Sequence, residues 1–424
     1  MKAFESYIAN VIGYEKEKEQ LYRLCDIAKN PGKYASLGVR LPRGVLLHGE
    51  PGLGKTLMAT DLVAAMGRKS YILRKDKAND EFVKTIGKVF AEAKKNAPSV
   101  IFLDDLDKFP SNSDTRNPEE LIAVQSGIDS VKEADVFVVA TANEFSVLPS
   151  ALRRSGRFDI ILEISAPDRR DAVEIVRHYL SDKKIASDIS VESIARLLDG
   201  SSCAALESIL NEAGIYAGYE NCTEIGRNHI IRAALRTVFS AEESVNAMPL
   251  AEKQEIAFHE ASHAAAALAY DPEGVGLISV RPTKGETRGV TQVFKPDGYF
   301  GSYEKMRQRV VMLLSGRAAV ELKFGIIDVG AAQDMERASA IIERFITDYA
   351  ASGLSLFHPN KGIDSWAQED AIAVERGAML SRFYEDAKTL MRENWAFVEK
   401  LAERLVEKDT IIFEDIVALK NAAA

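Results

Sequence analysis

GVLLHGEPGLGKTLMATDLVAAMG, residues 44–67, is an apolar run, a glycine-rich turn and a helix-forming stretch in immediate succession. Its centre, Gly49-Glu50-Pro51-Gly52-Leu53-Gly54-Lys55-Thr56, fits GxxxxGK[ST] between a strand and a helix. Glycines there let backbone N–H groups wrap phosphates, and the helix N-terminus favours their negative charge. Lys55 then reaches the outer phosphates and Thr56 supplies a ligand to Mg²⁺. Residues Gly49 to Thr56, with Leu57 behind them, form the candidate ATP-binding segment.

Outward from this loop, apolar runs alternate with helical stretches between Leu37 and Arg169: SYILRK, a helix to Lys95, SVIFLDD, a helix near Glu119, then VFVVATAN. Such alternation predicts an α/β core, a parallel sheet covered by helices on both faces. SVIFLDD ends in Asp104 and Asp105, where carboxylates emerge beside the phosphate loop. Asp104 would hold Mg²⁺ through water and Asp105 would orient an attacking water; acidic residues merely closing a strand are the alternative. VFVVATAN ends in Asn143, a polar group within reach of a γ-phosphate. The arginines of RRSGRFD, 153–159, suit charge building on a phosphoryl group, and equally suit a solvated or salt-bridged cluster.

From about Pro167 to Thr237 the strand signal vanishes and apolar residues recur at helical spacing, which predicts a small helical domain. After the polar SAEESVNA a second mostly helical region begins, interrupted by GLISVRP and GVTQVFKP, a short strand pair near 276–296. The expected division is a large α/β ATPase domain over 1–166, a helical lid over 167–240 and a metallopeptidase domain over 248–424.

That last assignment rests on His259-Glu260-Ala261-Ser262-His263, an HExxH inside the helical run AEKQEIAFHEASHAAAALAY. Four residues apart on a helix, both imidazoles share one face. Two imidazoles leave a tetrahedral Zn²⁺ one protein ligand short, with the last position kept for water. In DMERASAIIERFI, 334–346, apolar side chains define one helical face, and Asp334 falls within that arc. A carboxylate facing a core needs a cation, a solvent opening or a cap role, so Asp334 is read either as the third zinc ligand or as a helix cap. Glu260 would move the proton in peptide hydrolysis.

The sequence resembles the FtsH-type AAA+ metalloprotease family from about Phe4 to Ile416, in the order VIGYEKEK, GEPGLGKT, FLDDLD, ATAN, ALRRSGRFD, HEASH, LSGRAA and VGAAQDMERAS. The resemblance implies that Ile12 and Gly13 lie near adenine, Asn143 is the sensor, and Arg154 and Arg157 are fingers reaching a neighbour's ATP. It makes Asp334 the third zinc ligand and Gly289-Val290-Thr291 a strand that pairs with substrate. It also implies a homo-hexamer that acts on polypeptides. Asp104-Asp105 stands where the family has Asp-Glu, and RKDKANDEFVKTIGKVF lacks the family's aromatic-hydrophobic-glycine gripping motif.

With 63 acidic against 54 basic residues, a net charge of -9 argues against a general grip on nucleic acid. Three scattered cysteines without a CxxC pair suit a reducing compartment. No apolar run approaches the ~18 residues that span a bilayer, so the reading is cytoplasmic, without membrane insertion. The leading expectation is an ATP-dependent zinc endopeptidase that unfolds and degrades cytosolic proteins. The alternatives are a zinc peptidase whose ATPase half is a slow scaffold or switch, and a non-proteolytic remodelling or adaptor ring.

Overall fold

The computed structural model describes residues 8–38, 41–76, 79–110, 118–154, 156–241, 248–283, 288–294, 302–349, 351 and 366–422. Two compact units divide the chain. The first is Met1–Ile185 with Gly200–Ile225, and the second is Ala186–Asp199 with Gly226–Ala424.

In the first unit, α1 (Glu15–Lys29), α2 (Pro31–Ala35), β1 (Gly44–His48), α3 (Lys55–Met66), β2 (Lys69–Leu73), α4 (Asn79–Lys95), β3 (Ser99–Leu103), α5 (Glu119–Ser130), β4 (Val136–Ala142), β5 (Ile160–Glu163) and α6 (Arg169–Leu180) follow in order, with α8 (Cys203–Tyr219) later in the chain. The five strands form one parallel sheet in the order β2-β3-β4-β1-β5. One face is set by period-2 alternation. Ile101 and Leu103 of β3, and Val136, Val138, Ala140 and Ala142 of β4, share a core with Phe82, Ile86 and Phe90 of α4 and Leu121, Val124 and Ile128 of α5. Burying each such large side chain contributes roughly 1.5–3 kcal/mol. The other residues of β3 and β4 are buried too, as expected of interior parallel strands. β5 is an addition to the four strands read from sequence.

The second unit holds α7 (Val191–Leu197), α9 (Arg227–Phe239), α10 (Leu250–Tyr270), β6 (Val275–Ser279), β7 (Val290–Val293), α11 (Tyr303–Phe324), α12 (Ala332–Thr347), α13 (Trp366–Glu393), α14 (Trp395–Lys408), β8 (Thr410–Ile412) and α15 (Phe413–Asn421). Of the helices over 167–240, α6 and α8 fall in the first unit and α7 and α9 in the second. Local contacts explain the assignment of α7 and α9. Arg196 stacks its guanidinium 3.6 Å from the Phe413 ring centroid, and Arg227 pairs with Asp415.

Alanines make α10 what it is. Ala257, Ala261 and Ala264 to Ala267 are at most 3% exposed, so the helix lies close against α11 and α14, and alanine also has the best helix propensity. It stops at Asp271, held extended by the proline that follows. β6 and β7 pair as expected and run antiparallel, and β8, not foreseen, pairs with the other side of β6. In the order β7-β6-β8, β7 is an edge strand. No helix among the described residues is long and apolar enough to cross a membrane, and all three cysteines are free.

Candidate active sites

At the carboxyl end of β1 the chain turns into the phosphate loop. Gly54 adopts φ 82°, a left-handed conformation that favours glycine, and α3 starts at Lys55. The Lys55 ammonium donates to the carbonyls of Gly49 (2.7 Å) and Glu50 (2.6 Å), folding back over the cradle that a phosphate would fill. Leu53 is buried, while Glu50, Pro51, Gly52 and Leu57 are exposed. Ile12 is half-buried, and Gly13 lies against Asp171.

Neighbouring strand ends bring the acidic residues to this loop. Thr56 Oγ1 donates to Asp104 Oδ1 at 3.0 Å, and Thr141 Oγ1 donates to the same oxygen at 2.8 Å. Arg74, the first residue past β2, donates to Asp104 Oδ2 through Nε at 2.9 Å and through Nη2. Burial pushes the Asp104 carboxyl up, but Arg74, Thr141 and Thr56 outweigh it and hold the carboxyl below its ordinary value. A hydroxyl and a carboxylate at a helix N-terminus are the donor set a hard cation takes beside a phosphate, so the residues present fit Mg²⁺ and a nucleotide.

Asp105 sits at φ 54° with its carboxylate between Lys108 Nζ (2.7 Å) and Asn143 Nδ2 (3.2 Å). Asn143 is therefore at the same strand-end cluster as Asp104 and Asp105. Its backbone N–H donates to Asp107, which fixes the turn after β4. The arginines go elsewhere. Arg157 forks onto Asp129 (2.9 and 3.3 Å) and donates to the Ala151 carbonyl, while Arg154 is exposed. The Arg157 hydrogen bond is the first cause holding the Asp129 carboxyl down to about 2. Phe82, the first aromatic after β2, is fully buried and edge-packed on Phe109.

In the second unit the one-turn spacing on α10 sets His259 and His263 side by side, with Nε2 atoms 3.0 Å apart. Asp334, in the first turn of α12, points its Oδ2 at both, 3.4 Å from His259 Nε2 and 3.3 Å from His263 Nε2. It makes no cap bond there. Burial works to raise the Asp334 carboxyl, and the hydrogen bonds of the two imidazoles drive it well below the usual range instead.

The far side of each imidazole is also engaged. His259 Nδ1 lies 2.6 Å from Asp328 Oδ2, and His263 Nδ1 lies 2.8 Å from the Met312 carbonyl. With a metal bound, both acceptors would keep the proton on Nδ1 and leave each Nε2 lone pair for the ion. Two imidazole nitrogens and one carboxylate oxygen with such backing fit a catalytic zinc.

Asp328 escaped the sequence reading. It lies in the turn before α12, where its other oxygen accepts from the Gly330 N–H at 2.8 Å, and no periodicity marks it. The usable signal was chemical: a ligating imidazole needs an acceptor on its second nitrogen.

Glu260 is 6% exposed, and burial pushes its carboxyl up. The Thr291 hydroxyl lies 2.5 Å from its Oε2. Two glycines allow this crowding. A Cβ on Gly289 would meet Glu260 Oε1 at 2.6 Å, and one on Gly316 of α11 would meet His259 Cε1 at 2.5 Å. His259, His263, Asp334, Asp328, Glu260 and Gly289, with Val290 and Thr291 of edge strand β7, line one cleft of about 470 Å³.

Comparison with known families gives the same division of chemistry. Residues 45–166 match the ATPase family associated with various cellular activities (AAA), and residues 246–419 match peptidase family M41. The ATP-dependent zinc metalloprotease FtsH 2 of Thermoanaerobacter sp. (strain X514) is 30% identical over 428 residues, covering 97% of this chain and 82% of that protein. FtsH 1 of Thermomicrobium roseum is 30% identical over 443 residues, 97% of this chain and 67% of its own length. FtsH of Malacoplasma penetrans is 31% identical over 436 residues, 95% and 52%. The chain therefore spans from about half to about four-fifths of these relatives' lengths. With a nucleotide-type loop and strand-end acids in one unit and the two-histidine, one-aspartate cluster in the other, the chain belongs to the FtsH family of ATP-dependent zinc metalloproteases.

Proposed function

We propose that the protein is an ATP-dependent zinc endopeptidase that cleaves polypeptides. The observation that carries the reading is the convergence of His259, His263 and Asp334, each imidazole oriented from behind, with Glu260 in the same cleft. His259, His263 and Asp334 would hold zinc, which would supply Lewis acidity toward the scissile carbonyl and a water. Glu260 takes a proton from the attacking water and returns it to the amine nitrogen as the C–N bond breaks. Thr291 keeps the Glu260 carboxylate oriented. The outer edge of β7, unpaired among the described residues, gives with Gly289, Val290 and Thr291 hydrogen-bond partners to an extended substrate backbone beside Glu260.

In the first unit, Gly49 to Leu57, Ile12 and Gly13 bind ATP, and Thr56 and Asp104 hold Mg²⁺. Asp105 and Asn143 orient water at the γ-phosphate. Arg154 and Arg157 serve as fingers toward a neighbouring subunit in a homo-hexamer, which requires Arg157 to leave Asp129. The three-part division at 1–166, 167–240 and 248–424 and a cytoplasmic location belong to this reading.

A second reading makes the ATPase half a nucleotide-gated scaffold. Its support is Phe82, which lies in the core where the family's gripping segment would need an exposed aromatic. Cleavage of unfolded casein and of a stably folded reporter, with ATP or a non-hydrolysable analogue, separates the two. Loss of the folded reporter only with ATP is the expected result. Casein cleavage that is equal with either nucleotide, with the folded reporter intact, would leave the scaffold reading.

The imidazole backing has its own test. Asp328→Asn is expected to weaken zinc binding by about 10–100-fold, read by competition with a colorimetric chelator on the full chain. Unchanged affinity would remove Asp328 from the metal site.

A further inference from the structure

Asp104 has a side chain only 1% exposed, and both of its oxygens are already engaged. Oδ1 takes the hydroxyls of Thr56 and Thr141, and Oδ2 takes two N–H groups of Arg74. A buried carboxylate without a counter-charge is costly, and Arg74 is that counter-charge here. The pairing follows from sheet register. Leu73 stands beside Leu103 across β2 and β3, and the Asp104 N–H donates to the Leu73 carbonyl at 2.9 Å. The next residue on each strand is therefore Arg74 on one side and Asp104 on the other.

Mg²⁺ seated by Thr56 and Asp104 would bring two positive charges up to that guanidinium, and like charges at such range oppose each other. One of the two cations has to give way. Arg74 is built to be the one. Its side chain is 65% exposed and can turn into water. Lys75, immediately after it, is anchored on the Phe109 carbonyl (2.6 Å) and on buried Glu120 (3.2 Å), so the backbone stays in place while the guanidinium moves.

We infer that Arg74 is a tethered cation on the Mg²⁺-site carboxylate. It neutralises Asp104 while nucleotide binds without metal, and Mg²⁺ must displace it. The inference rests on the reading of the first unit as an ATP site. Its consequences are weak Mg²⁺ dependence of nucleotide binding and a raised Mg²⁺ requirement for forming the metal–nucleotide complex.

The test titrates the full-length protein, saturated with ADP, with Mn²⁺ followed by electron paramagnetic resonance. A parallel experiment measures binding of a fluorescent ADP analogue in EDTA. For Arg74→Gln the Mn²⁺ half-saturation should fall by about tenfold, the scale of one neighbouring charge, and metal-free ADP binding should weaken. Arg74→Lys keeps a charge but loses the fork, so it should lie between the two. A half-saturation in Arg74→Gln within twofold of wild type, or higher than wild type, overturns the inference while leaving the ATP site intact. Failure of the wild type to bind the ADP analogue under any condition overturns the ATP-site reading and the inference together.

Discussion

Glu260→Gln should lower the turnover of a quenched-fluorescent casein by about 10²–10⁴-fold and leave zinc content unchanged, the range over which positioned acid–base groups act. The exchange is isosteric, so the buried site stays filled, and the new amide oxygen still accepts from Thr291. What disappears is the ability to take a proton from water and deliver it to the amine. His259, His263 and Asp334 are untouched, so metal measured by mass spectrometry should match wild type. A variant that keeps turnover within threefold would remove Glu260 from the chemistry. Coincident loss of zinc and activity would make it a structural residue of α10.

Gly316→Ala should cut the same turnover by about 100-fold while the circular dichroism of the helices is unchanged, because small displacements at a reacting centre carry such costs. In an unconstrained helix this exchange would be favourable by about 1 kcal/mol. Here the added Cβ would stand 2.5–2.8 Å from three atoms of the His259 ring. Something must move. The ring cannot shift freely, since its Nδ1 is bonded to Asp328 and its other nitrogen faces Asp334 and His263. Either α11 backs away from α10, or the imidazole leaves its place among the three ligands. Activity within a few-fold of wild type would mean that α11 yields without disturbing His259.

How much of this was readable in the sequence follows from how local each signal is. The phosphate loop and HExxH are short contiguous patterns, and the helix that carries the second was legible for the same reason. The α/β alternation also gave the parallel sheet. β5 was not read because IILE is short and only one of its residues is buried, so it lacks a clear pattern of its own. β8 is three residues before a helix and exists through pairing with β6, far earlier in the chain. Asp328 and Arg74 are similar cases. Each acts through a partner supplied by another element, His259 for one and Asp104 for the other, and composition near either residue announces nothing. The division of α6 to α9 between two units depends on partners such as Phe413 and Asp415 near the chain's end.

The three metal-facing side chains come from two helices that meet only through folding, α10 and α12. The described core of α12 is modest, with Ala338, Ile342, Phe345 and Ile346 as its buried residues. A bound divalent ion would therefore act as a cross-link between distant parts of the chain, adding binding free energy to the docking of α12. Metal supply would then govern the protein's resistance to unfolding as well as its chemistry. In a cell short of zinc the protein would lack that cross-link, and α12 would dock on its four buried side chains alone.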